Sequence, residues 1–383
     1  MIGAVLPLPP PPTEPSAPAG WYEDPWRMAP WRWWNGAVWS AHTGAAKEAK
    51  PRLPNWVSPP VVLAAIPTVP GIAIYAVLAP LAIVLGLVPL LIVLPILAWL
   101  DRVEPEPWSS RIHAVLWGAA VAGFISVVVN SLVGFAAGEA IAGIVSAPLV
   151  EEGTKAAGLL WAVRRKELDG VVDGIVYAGW IGLGFAVVED FAYFALAADQ
   201  GVLFQTFVLR AILTPFAHPL FTAWTGLAVG MAVSKGKPVF PTALWGLALA
   251  VATHASWNGS LLLAEEVDQP WIVLVAMALF VALFVAAVVT VIKYRRVEQQ
   301  HFSDAVPFLA HRYGLPAGDV EVFGSWAAMR STRKALSRPQ RKDFDKVHST
   351  LARLAVLHSQ PGEVDHAAEH VLNAQLQSAR NKA

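Results

Sequence analysis

The feature that most constrains this chain is a series of long apolar runs between Val61 and Ile292. Each run has roughly 18 to 30 residues, enough for an α-helix to cross the hydrocarbon core of a bilayer. We place the spans near 61–78, 81–100, 112–134, 140–163, 171–197, 203–232, 239–263 and 270–292. The sequence therefore predicts an all-α, polytopic membrane helix bundle with about eight transmembrane helices.

The first two spans are the least regular of the series. Prolines interrupt them at Pro67, Pro70, Pro80, Pro89 and Pro95. Because only Ala79 and Pro80 separate the two runs, they form either ordinary spans, a tight hairpin or a re-entrant element.

Composition supports a membrane protein and limits the partners and metal ligands that the chain can have. Of 383 residues, 56% are hydrophobic and 15% charged, which is far from the balance of a soluble protein. Lys plus Arg equals Asp plus Glu at 28 each, so no net charge favours a nucleic-acid partner. The chain has no cysteine. Any metal must therefore be held by His, Asp or Glu.

Charged residues between the spans predict an orientation. Basic residues fall only in alternate loops, at Arg102, Arg111, Arg164, Arg165, Lys166, Lys235, Lys237, Lys293, Arg295 and Arg296. The opposite loops carry only acidic residues, at Glu139, Asp199, Glu265, Glu266 and Asp268. The positive-inside rule then predicts an even number of spans in the cell inner (plasma) membrane, with both termini cytoplasmic.

Polar segments flank the membrane part. We expect a disordered, Pro-rich leader over 1–19 that is not a cleaved signal peptide. Residues 20–43 hold six of the 17 tryptophans and have turn signals typical of a small β-type module. A linker over 44–58 leads to the transmembrane domain, 59–293. The polar segment 294–383 has apolar residues at helical spacing, which predicts a cytoplasmic helical tail.

Four consecutive spans contain polar side chains at bilayer depth, where each costs several kcal/mol. They are Glu151, Glu152, Lys155, Glu189, Asp190, His218, His254 and Asn258. Counting along the helices places Glu151, Glu189, His218 and His254 in a layer roughly 10 Å thick. We therefore predict that they face one hydrated cavity, beside helix distortions at Pro148 and Pro215.

This set of residues favours activation of water. Glu189, His218 and His254 are a carboxylate and two imidazoles, a ligand set that zinc accepts in hydrolytic sites. The sequence thus predicts either a zinc site with these three metal ligands or a metal-free site in which the same residues activate water.

Four further residues are candidate catalytic groups. Glu151 or Glu152 is placed to act as general base and later as acid. Lys155 balances charge or stabilises an oxyanion, and Asn258 donates a hydrogen bond to the substrate carbonyl. The i, i+4 spacing predicts a Glu151–Lys155 ion pair, with Glu152 pointing about 100° away.

Structural roles compete with each assignment. Glu151 with Lys155 also suits a self-neutralised structural pair. A histidine within a span is more often a helix-packing residue than a ligand. We expect Arg210 to snorkel or to pair with Glu139, and Asp190 to cap the polar layer, neither with a catalytic role.

The order of the motifs resembles the PrsW family of bacterial intramembrane proteases, a group related to CAAX-type prenyl proteases. The resemblance covers residues 61 to 292. It depends on motifs in four successive spans. They are Glu-Glu-x-x-Lys at 151–155, the run 173–177 followed by Gly182-Leu183-Gly184-Phe185 and Glu189, the His218 to Gly226 spacing, and His254-Ala255-Ser256-Trp257-Asn258. The segment 20–43 is similar to a short Trp-rich domain of unknown function with a GWYxDP opening.

The resemblance implies an endopeptidase that makes the first cut in a single-pass membrane protein such as an anti-sigma factor. It implies functional roles for Glu151, Glu152, Lys155, Glu189, His218, His254 and Asn258. Asp190 departs from the family pattern, which favours Asn there.

Two other classes of function remain open from the sequence. An ion- or proton-coupled transporter uses buried Glu, His and Lys in the same way, although no inverted repeat is visible. A non-catalytic membrane scaffold that recruits partners through its flanking segments is the other alternative.

Overall fold

The computed structural model describes residues 20–23, 31–34, 39–44, 58–101, 106–359 and 366–380. The chain divides into two compact units, Met1–Pro54 and Asn55–Ala383. The leader predicted over 1–19 and most of the predicted linker lie outside the described residues.

The described part of the first unit consists of three short strands, β1 (Gly20–Glu23), β2 (Trp31–Trp34) and β3 (Trp39–Gly44). They pair antiparallel in the order β1-β2-β3, with Gly20 opposite Trp34 and Trp34 opposite Trp39. The rings of Trp34 and Trp39 meet edge to face at 5.3 Å.

The second unit is helical throughout its described residues. Its membrane part contains α1 (Pro59–Leu78), α2 (Pro80–Gly86), α3 (Val88–Leu100), α4 (Trp108–Leu116), α5 (Gly123–Ala137), α6 (Glu139–Ile141), α7 (Ala147–Arg164), α8 (Val171–Asp199), α9 (Leu203–Phe207), α10 (Ala217–Ser234), α11 (Val239–Glu266) and α12 (Trp271–Tyr313). The tail contains α13 (Ala317–Phe323), α14 (Trp326–Ala335), α15 (Arg338–Ser359) and α16 (His366–Arg380).

Seven helical segments within the described residues are long and apolar enough to cross a membrane, against about eight predicted. The additional predicted span, 140–163, lies within a helical stretch made of α6, a π-helical turn and α7. This stretch is not among the seven because Glu151, Glu152 and Lys155 lie in its middle.

Several spans contain irregular turns. The span predicted over 81–100 is two helices, which meet at Leu87. A π-helical turn over Trp117–Ala122 joins α4 to α5, and another over Ala142–Ser146 joins α6 to α7. A third, over Val208–Leu213, follows α9 and ends at the break before α10. Such turns leave backbone groups free of the regular helical ladder and are frequent at functional sites.

Helix α8 lies at the centre of the membrane part and is buried along nearly its whole apolar length. Its glycines allow α10 to approach closely, as small residues do between membrane helices. A Cβ added at Gly182 would lie only 2.6 Å from the Pro219 nitrogen, in the first turn of α10. This contact fixes the position of the neighbouring His218.

The tail has a hydrophobic core of its own, which includes the end of α12. Val306 and Leu309 of α12 pack in one buried cluster with Leu351 and Leu354 of α15 and Leu376 of α16. Because α12 runs without a break from Trp271 to Tyr313, the domain boundary predicted at 293 falls inside a helix.

Candidate active site

Four helices bring the predicted site residues together. Helix α7 supplies Glu151, Glu152 and Lys155, α8 supplies Glu189, α10 supplies His218, and α11 supplies His254 and Asn258. All are buried except Glu189 and Asn258, which are partly buried. A cavity of about 370 Å³ lies against Glu151, Glu189, His218, His254 and Asn258.

Lys155 is fully buried and lies among the acids and one imidazole. Its Nζ is 2.9 Å from Glu152 Oε1, 3.0 Å from His218 Nδ1 and 3.5 Å from Glu151 Oε2. The ammonium also lies 3.8 Å from the centre of the Phe185 ring. The prediction that Glu152 points away from Lys155 is therefore wrong. The flexible lysine stem reaches the i−3 carboxylate more closely than the i−4 carboxylate.

Glu152 is enclosed by three partners. Besides Lys155, it binds His254 Nδ1 at 3.1 Å through Oε1 and accepts a hydrogen bond from Thr222 Oγ1 at 2.8 Å through Oε2. Thr222 was not among the predicted residues, although it follows His218 by one helical turn on the same face of α10. A carboxylate with partners on both oxygens is suited to orienting its neighbours.

Glu151 faces both imidazoles. Its Oε2 lies 3.9 Å from His218 Nδ1 and 3.9 Å from His254 Nε2. Its Oε1 is 3.5 Å from Asn130 Nδ2, and Ser146 donates to the Asn130 side-chain oxygen at 2.8 Å. Asn130 and Ser146 were also missed from the sequence, where the only signal is an amide and a hydroxyl within apolar runs.

The residues that converge closely enough to share a cation are Glu151, His218 and His254. One ligand atom of each lies within 4.8 Å of the other two. Two imidazoles and one carboxylate are a donor set that zinc accepts in sites with an open fourth position. The set grouped by the structure thus contains Glu151 in place of the predicted Glu189.

Glu189 lies on the far side of the His218 ring. Its Oε2 is 2.7 Å from His218 Nε2, while His218 Nδ1 points toward Glu151. Glu152 is placed in the same way on Nδ1 of His254, whose Nε2 points toward Glu151. Carboxylates on the outer nitrogens favour tautomers with a lone pair on each inner nitrogen, as in metal sites. In this structure the His218 Nδ1 lone pair faces the Lys155 ammonium at 3.0 Å, so an ion bound at this nitrogen would displace Lys155. With Lys155 turned aside, the three donors fit a metal ion.

Arg210 closes the Glu189 side of the cavity from the π-helical turn before α10. Its Nε donates to Asp190 Oδ1 at 2.6 Å, its terminal nitrogen contacts Glu189, and its guanidinium lies 3.9 Å from the centre of the Tyr193 ring. The partners of Arg210 are thus the two acids of α8, not the predicted Glu139. Asp190 supplies a charged partner where the family pattern favours an amide.

Asn258 connects helices in this structure. Its Nδ2 donates to the Gly143 carbonyl oxygen at 2.9 Å, which ties α11 to the π-helical turn before α7.

The chain is irregular near both prolines at which helix distortions were predicted. The π-helical turn before α7 ends two residues before Pro148. Thr214, directly before Pro215, has a non-helical φ of −127°.

Comparisons with known proteins match two parts of the chain to known families. Residues 106–291 match the family described as PrsW family intramembrane metalloprotease, and residues 19–52 match a family of unknown function, DUF2510. Protease PrsW of Clostridioides difficile (strain 630) is 34% identical over 94 residues, 24% of this chain and 37% of that relative. The match thus spans well under two thirds of the relative's length. No solved structure matches the chain. Over residues 106–291, the membrane part of this chain is therefore similar to the PrsW family of intramembrane metalloproteases.

Proposed function

We propose that this chain is an intramembrane endopeptidase that hydrolyses a peptide bond in a single-pass membrane protein, such as an anti-sigma factor. The observation that supports this most is the convergence of Glu151, His218 and His254 beside a cavity between otherwise apolar helices. Hydrolysis of a peptide bond requires an activated water, a proton carrier and positive charge near the developing oxyanion.

The surroundings of each acid suggest different roles. Glu151 faces the cavity and both imidazoles. We assign its Oε2, which lies 3.9 Å from each ring, to the ion proposed below, and its Oε1 to the reacting water, as a proton acceptor and later donor to the leaving amine. Glu152 and Glu189 are positioning residues for His254 and His218. Lys155 supplies positive charge beside Glu151, because its ammonium lies within 3.5 Å of that carboxylate.

We propose zinc as the ion held by Glu151, His218 and His254. When bound, zinc provides Lewis acidity and a nucleophilic water at neutral pH. The outer hydrogen bonds of both rings, 2.7 Å to Glu189 and 3.1 Å to Glu152, support this role.

We also propose that the protein lies in the plasma membrane with both termini cytoplasmic. The segregation of basic and acidic loops supports this orientation. It requires the charged stretch 139–164 to cross the bilayer together with the seven more apolar segments.

Cleavage by the purified full chain, reconstituted in liposomes with a single-pass substrate, tests the proposed activity. Glu151→Gln should lower the cleavage rate by about 100-fold or more, because general acid–base catalysis contributes at least that much. Glu265→Gln is the matched control, since Glu265 is an exposed acid at the end of α11. Unchanged cleavage by a folded Glu151→Gln variant would reject the assignment.

A further inference from the structure

A second cavity lies far from the acids and imidazoles of the candidate active site, where one end of the membrane part meets the tail. It measures about 660 Å³ and is lined by the ends of α3 and α4 and by α14 and α15. Ala98 lies near the end of the α3 span and Trp108 begins the next, so the cavity is level with the membrane boundary.

The basic side chains outnumber the acidic ones in this cavity. The acids are Asp101 and Asp345, and the bases are Arg111, Arg330, Arg333 and Lys334. Arg111 binds Asp101 at 2.6 Å, and Arg333 binds Asp345 through two hydrogen bonds of 2.6 and 2.7 Å. After these pairs are formed, a cationic excess remains on Arg330 and Lys334, which are i, i+4 neighbours on α14.

Two buried polar atoms at the cavity have no hydrogen-bond partner within the described residues. They are Arg111 Nε and His348 Nε2, and each side chain belongs to a residue only 8% exposed. Burial also raises the pKa of Asp101, against the opposing effect of the Arg111 guanidinium. Unsatisfied buried donors are costly unless a ligand or water completes them.

The cavity walls combine this charge with aromatic surface. Trp108 is 69% exposed and contacts the Arg111 guanidinium, 4.7 Å from its ring centre, and Trp326 and Phe344 form another wall. Tryptophan is enriched at the level of lipid headgroups, and clusters of Lys and Arg there bind anionic lipids.

We propose that this cavity binds the phosphate of an anionic phospholipid headgroup. Arg330 and Lys334 contact the phosphate, Arg111 completes its donors from beneath, and Trp108 packs against the glycerol region. A bound lipid would join the tail to the membrane part, since the two sides of the cavity belong to α3 and α4 on one hand and α14 and α15 on the other.

The test measures lipid binding by the full chain in phosphatidylcholine nanodiscs to which phosphatidylglycerol is added, with native mass spectrometry to count retained lipids. The wild-type chain should retain one phosphatidylglycerol. The exposed pair Arg330→Gln with Lys334→Gln should weaken this binding by about tenfold or more, because each cation near a lipid surface contributes about 1 kcal/mol. Trp108→Ala should weaken binding without the loss of any charge.

The matched control is Arg338→Gln with Lys342→Gln, which removes the same charge from exposed positions of α15 that do not line the cavity. Equal retention by the wild type and both double variants would overturn the site. Thermal stabilisation of the wild type by inorganic phosphate, with no lipid retained, would overturn the assignment to a phospholipid.

Discussion

Glu151 and Glu152 are adjacent in sequence but occupy different surroundings. Glu152 is bound on both oxygens by Lys155, His254 and Thr222. Glu151 has its shortest polar contacts at 3.5 Å and faces the cavity. A fully engaged carboxylate holds its neighbours in place, whereas a carboxylate with free capacity is available to a water or an ion.

Glu152→Gln should therefore destabilise the protein more than Glu151→Gln. It leaves the fully buried Lys155 ammonium without its shortest anionic partner, a loss of about 3–5 kcal/mol for a buried ion pair. Thermal or denaturant unfolding in detergent measures the difference, with the exposed Glu266→Gln as control. A Glu152→Gln variant as stable as the wild type would contradict the role of Glu152 as an anchor of the network.

The sequence predicted which side chains meet, and it predicted the Glu151–Lys155 ion pair, but not the closer pair of Lys155 with Glu152. Their spacing and depth follow from helix geometry, which is local. The choice of Glu151 over Glu189 as the acid between the two imidazoles depends on how far α7 and α8 are rotated, which packing decides. Asn130 and Arg210 were not predicted as site residues because each lies in a segment with no recognisable motif.

The contact between helices α8 and α10 positions His218. The two helices approach at Gly182, where the Pro219 nitrogen and the His218 carbonyl carbon occupy the space of a Cβ, at 2.6 and 2.8 Å. Backbone atoms cannot move aside as the end of a flexible side chain can. The glycine is therefore required by the close approach.

Gly182→Ala should push the first turn of α10 away and displace His218. We expect a loss of about 1–3 kcal/mol of stability, typical of overpacking, and a larger fractional loss of cleavage. Gly71→Ala in α1 is the control, because an added Cβ there meets nothing within 4 Å. Equal activity of the two variants in the liposome cleavage assay would show that this approach does not position the site.

The helical elements were predictable because apolar length is a strong signal, and prolines predicted some of their irregularities. The break at Leu87 lies two residues before Pro89, and the irregular turns before α7 and α10 end close to Pro148 and Pro215. The π-helical turn over Trp117–Ala122 has no such signal in the sequence. The stretch 139–164 combines a predicted span with buried charges, which are compensated by Lys155 within α7 and by Thr222 and His254 of the neighbouring helices.

For the whole molecule, the number of crossings decides on which sides the termini lie. If the stretch 139–164 crosses the bilayer with the seven apolar segments, the total is even and both termini are cytoplasmic. Reporter fusions at the two ends should then both show cytoplasmic signals. Termini on opposite sides would mean that the number of crossings is odd, as it is when the stretch 139–164 does not cross.

The metal content of the purified full chain shows whether Glu151, His218 and His254 hold an ion. We expect one equivalent of zinc, lost in Glu151→Ala, His218→Ala and His254→Ala and kept in Glu265→Ala. Glu189→Gln should keep the ion with about 10- to 100-fold weaker affinity, as expected for a residue that orients a ligand. Cleavage of the substrate by a chain without bound metal, in the presence of chelators, would show that these three residues do not act through an ion.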